Sequence, residues 1–69
     1  MPFARLTLLG SQRVRALHRA AGAHLRGGHT SLANAYRAAA DALQRGDETT
    51  AEHWLEKADL ERYLLTASA

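Results

Sequence analysis

Four histidines, His18, His24, His29 and His53, are the side chains in this chain best suited to hold a metal. No two of them stand at i and i+4, there is no HExxH, and no Cys exists to join them. His53 and Glu56 lie one helical turn apart, so only a second copy would complete a ligand set. Solvated histidines at helix edges are the expectation, with no metal and no cofactor. Glu48, Glu52, Glu56 and Asp59 recur at roughly one-turn spacing and form an acidic stripe. Paired carboxylates work as acid and base where a pocket separates their pKa values, and an open helix face supplies no such pocket. The chain has no Gly-rich phosphate loop, no nucleophile elbow and no Ser-His-Asp set. The expectation is a protein that is not an enzyme.

The arginines are more informative. Residues 1–40 hold six Arg and no acid, a charge of +6, whereas residues 41–69 carry a net −4, giving +2 for the whole chain. Such asymmetry points to a polyanionic partner or to pairing between opposite halves. Arg15, Arg19 and Arg26 fall on one face of a helix, and Arg5 and Arg13 extend the basic half. These five are the candidate contacts for phosphate or for a partner, because a guanidinium binds either phosphate or carboxylate bidentately. The alternative destination for the stripe is Glu48, Glu52, Glu56 and Asp59, in the same chain or in a second copy.

Three helical segments must position these groups. Residues 1–10 read as an arm or short strand, with an N-terminal helix equally open: Phe3, Arg5, Thr7 and Leu9 alternate with Ala4, Leu6 and Leu8, and Gly10 breaks the segment from the next. Ser11 is placed to cap a first helix over 12–26, with Val14, Leu17, Ala21 and Leu25 on its apolar face. Gly27-Gly28 ends it. Thr30 or Ser31 then caps a second helix over 31–45, whose stripe is Leu32, Tyr36, Ala39, Ala40 and Leu43. Gly46 suits the left-handed residue after a helix end. Asp47 or Thr49 caps a third helix over 48–65, Thr49 with Glu52 fitting a capping box. Ala51, Trp54, Leu55, Ala58 and Leu65 share its inner face. Leu60, Tyr63 and Leu64 point the other way and are the candidate dimer interface. The short second connection predicts an antiparallel helical hairpin of helices two and three, with Tyr36, Leu43, Trp54 and Leu55 as its core. No long internal repeat, linker or low-complexity segment is present.

Two resemblances bear on this layout. Ala39, Gly46-Asp47, Ala51, Leu55 and Ala58 fall where a tetratricopeptide unit places its small residues, its turn and its second-helix packing positions. Ala35 stands where that repeat has Trp, and there is a single copy. RLTL at 5–8, Ser11 and GGHTS at 27–31 resemble the order of elements in ribbon-helix-helix repressors and antitoxins. That resemblance implies a strand pair in the major groove, Arg5 and Thr7 facing bases, and a phosphate at the start of the second helix near Thr30 and Ser31. The second helix departs from it in having Ala33 and Asn34 where large aliphatics are usual.

Sixty-nine residues make one domain, too small to bury much surface alone, and without Cys a second chain is the remaining staple. No apolar run is long enough to span a membrane and none forms a signal core, so a cytoplasmic location is expected. The sequence therefore predicts an all-α domain over residues 1–69 that forms a homodimer through its third helix. It acts as a small non-catalytic protein-interaction or regulatory module with an unidentified protein partner. The second reading is a DNA-binding regulator, with nucleic acid as partner of the basic half.

Overall fold

The computed structural model describes the backbone of residues 2–68 and the side chains of residues 12–67. It is all-helical, with α1 over Pro2–Arg26, α2 over Thr30–Gln44 and α3 over Glu48–Ser68, and no strand among the described residues. Of the readings open for residues 1–10, the described residues 2–10 take the helical one, and they run without a break into the helix expected at 12–26. Pro2 opens it, where a missing amide hydrogen is no loss. Gly10 does not interrupt it, because one interior Gly costs only about 1 kcal/mol against Ala. Ser11 is consequently an interior residue, not a cap. The side chains of Arg5 and Thr7 lie outside the described residues.

Both connections are built alike. Gly28 and Gly46 sit at φ +86° and +78°, where an L side chain is disfavoured. At the first turn the amide of Gly28 donates to the Leu25 carbonyl (3.1 Å) and that of His29 to the His24 carbonyl (2.8 Å). At the second, Gly46 donates to Leu43 (3.0 Å) and Asp47 to Ala42 (2.9 Å), the same Schellman pairing. The residue that closes each turn also opens the next helix: the His29 carbonyl accepts from the Ala33 amide, and the Asp47 carbonyl from the Ala51 amide. Thus His29 is the N-cap of α2, with no side-chain capping bond, in place of the expected Thr30 or Ser31. Asp47 is the N-cap of α3. Its carboxylate accepts from the Thr50 amide (3.1 Å) and the Thr50 hydroxyl (2.6 Å), displacing the expected Thr49–Glu52 box.

α2 packs against both α1 and α3, whose backbones do not contact each other among the described residues. The result is a slab 46 Å long and only 16 Å thick, little more than one helix diameter. A helix flanked twice needs small residues on two faces. α2 accordingly buries Ala33, Ala35, Ala39, Ala40 and Ala42 along with Leu32 and Tyr36. The core continues through Ala21 of α1 and Ala58 of α3, with Leu17, Ala20, Trp54 and Leu55 half-buried around it.

The identical turns set the helices in a common register of 18 residues. Ala33, Tyr36 and Ala40 of α2 correspond to Ala51, Trp54 and Ala58 of α3. Ala35, Ala39 and Ala42 of α2 correspond to Leu17, Ala21 and His24 of α1. This spacing is visible only once the two glycine turns are aligned.

Candidate interaction surface

The later turns of α3 lie beside the start of α2. The Ser31 hydroxyl donates to Glu61 Oε1 at 2.9 Å, and Arg62 Nη1 reaches the Tyr36 hydroxyl at 3.5 Å. On its other side Tyr36 stacks on His24 of α1, ring centroids 5.3 Å apart and planes 7° from parallel. Because Ser31 is already level with Glu61, the last turns of α3 project past the first turn of α2. That overhang leaves Leu65, expected on the inner face, 44% exposed. With Leu64 it forms one wall of an open groove of about 500 Å³, whose other wall is Gly28, His29, Thr30 and Leu32. Leu25, also expected inside, is exposed at the end of α1.

The outer side of the same overhang is apolar. Leu60 is 58%, Tyr63 68% and Leu64 53% exposed, on the helix face opposite Ala51 and Ala58. Glu52, Glu56 and Asp59 are exposed along one edge of that face, His53 and Lys57 along its middle. Lys57 Nζ stands 5.1 Å from the Trp54 ring centroid, so this cation lies over an aromatic face. Trp54 and Leu55 are half-buried and Tyr36 is buried, all against the same cluster. Leu43, expected beside them, is half-buried outside it.

Arg13, Arg15, Arg19 and Arg26 are all exposed, Arg15, Arg19 and Arg26 on the side of α1 turned away from α2. Pairing with the acidic stripe within one chain does not occur: α2 stands between the two helices, and among the described residues no ion pair joins these arginines to Glu48, Glu52, Glu56 or Asp59. Among those residues no three His, Asp or Glu side chains converge to form a metal site. The pKa of Asp47 is held below its ordinary 3.8 by the side-chain and then the backbone hydrogen bond from Thr50, with Arg45 adding a smaller attraction. Its role is to cap a helix.

Compared with known proteins, the chain matches no family model, and no curated protein and no solved structure matches it. No helix among the described residues is long and apolar enough to cross a membrane.

The sequence pattern identified the outward face of Leu60, Tyr63 and Leu64. It missed Leu25, Leu65 and the groove, because helical periodicity assigns a direction but not the length of the neighbouring helix.

Proposed function

We propose that this chain is a non-catalytic interaction module that works by self-association, at minimum as a homodimer. Its antiparallel α2–α3 hairpin is the rigid part and the outer face of α3 is the docking surface. The exposure of Leu60, Tyr63 and Leu64 on one helix face carries this reading. Three large apolar side chains side by side in so small a domain leave a surface that association would bury. The unidentified protein partner of the module would use the same face or the adjoining groove.

The test is sedimentation velocity at increasing concentration. The wild type is expected to associate at tens of micromolar, roughly the range of an 8 kcal/mol contact or weaker. Leu60→Asp with Leu64→Asp is expected to remain monomeric and helical. A wild type that stays monomeric through that range refutes the proposal.

The DNA-binding reading keeps one supporting observation, the acid-free row of exposed arginines on α1. Residues 5–8 are helical, however, so the strand pair of the ribbon-helix-helix layout is not there to enter a groove. Phosphate contact would then run through Arg13, Arg15, Arg19 and Arg26. It would be read as DNA binding at physiological salt whose salt dependence flattens when those arginines are neutralised.

A further inference from the structure

The 18-residue register assigns a direction to each helix face. α2 has two neighbours and α3 has one, so comparing equivalent positions shows which neighbour covers what. Ala51, Trp54 and Ala58 of α3 are buried or half-buried, as are their equivalents Ala33, Tyr36 and Ala40 of α2. This is the face a helix turns toward the helix before it. Ala35, Ala39 and Ala42 of α2 are buried, but their equivalents in α3, His53, Lys57 and Leu60, are exposed. This second face is the one a following helix covers. α1 obeys the same rule in reverse. Its following-helix face, Leu17, Ala21 and His24, is buried or half-buried, while its preceding-helix face, Arg15, His18 and Gly22, is largely open.

The slab therefore ends in two open faces of opposite kind, and their edges carry opposite charge. Beside the open face of α3 stand Glu48, Glu52, Glu56 and Asp59. On the open face of α1 stands Arg15, with Arg19 and Arg26 beside it on the corresponding edge. Resting on the self-association proposed above, we propose that the open face of α3 receives α1 of a second copy of this chain, in the place of a fourth helix. Continuing the register set by Ser31 and Glu61 brings Arg15 level with Asp59, Arg19 with Glu56, and Arg26 with Glu48. Leu60 then lies level with Val14, one turn from His18, and Gly22 lies level with Glu52. The contact is heterologous, one surface onto a different one, so it closes as a ring or continues as a stack. The other occupants of the face, α3 of a second copy or an unrelated protein, are outcomes of the test.

The test uses charge reversal at exposed positions, with far-UV circular dichroism to establish folding. Arg15→Glu with Arg19→Glu makes both end faces acidic. Glu56→Lys with Asp59→Lys makes both basic. Each variant alone is expected to associate at least about tenfold more weakly than the wild type, because like charges then meet across the contact. Mixed one to one, or with all four substitutions in one chain, association is expected to return. If Arg15→Glu with Arg19→Glu associates as well as the wild type, the inferred contact is overturned while self-association stands, and an α3-on-α3 interface is indicated. If both variants lose association and neither the mixture nor the four-fold variant regains it, the pairing is overturned. If the wild type itself is monomeric, this contact and the proposed function fall together.

Discussion

Deleting the same three carbons from two leucines should separate the core from the docking face. Leu32 is 2% exposed and belongs to one buried cluster with Ala21, Ala35, Ala58 and Tyr36. Removing about three methylene equivalents at about 0.8 kcal/mol each forfeits roughly 2.4 kcal/mol of burial. A cavity term adds to it, and here that term is large, because three of the neighbours are alanines that cannot swing into the gap. Leu32→Ala is thus expected to cost about 4 kcal/mol, in the upper part of the range for buried leucines. At roughly 0.05–0.15 kcal/mol per residue, that is a large fraction of all the stability such a chain has. Leu60 keeps less than half its surface covered, so Leu60→Ala should cost at most about 1 kcal/mol in the isolated fold. Its effect should appear in association instead. Urea unfolding followed by circular dichroism, at a concentration low enough to suppress association, measures both. A Leu32→Ala loss below about 1 kcal/mol, or equal losses for the two variants, would refute the assignment of the core.

Three further outcomes follow from the turns and the aromatic cluster. Gly46→Ala forces a side chain into φ +78°, and although nothing crowds the site, the backbone strain should cost about 1–2 kcal/mol in thermal unfolding. Asp47 has a lowered folded-state pKa, so its contribution is fully present above the ordinary carboxylate value of 3.8 and is lost as pH falls through the folded value. Asp47→Asn keeps a capping oxygen but does not titrate, so its stability should fall less steeply in that acid range; identical acid limbs would contradict the hydrogen-bonded carboxylate. Trp54 is half-buried with Lys57 over its ring, so native emission should lie between the fully buried and fully hydrated limits and shift to the red on unfolding.

The sequence by itself determined the number of helices and where two of the three boundaries between segments fall. Gly28 and Gly46 have left-handed backbones that few other residues adopt, and Asp47 is a capping residue by type. The apolar spacing also fixed which way Leu60, Tyr63 and Leu64 point, since a side chain's direction around a helix follows from its position alone. Gly10 misled as a break between segments, because one glycine among good helix formers is a local cost that the rest of a long helix outweighs. Tertiary structure decided the rest. That Leu65 and Leu25 stay exposed depends on where α2 begins relative to α3 and on how α1 ends. That Arg15 and Arg19 do not meet Glu56 and Asp59 within one chain depends on α2 lying between their helices. Periodicity carries no information about either, because it describes each helix about its own axis, whereas coverage and charge pairing are set by the distance between axes.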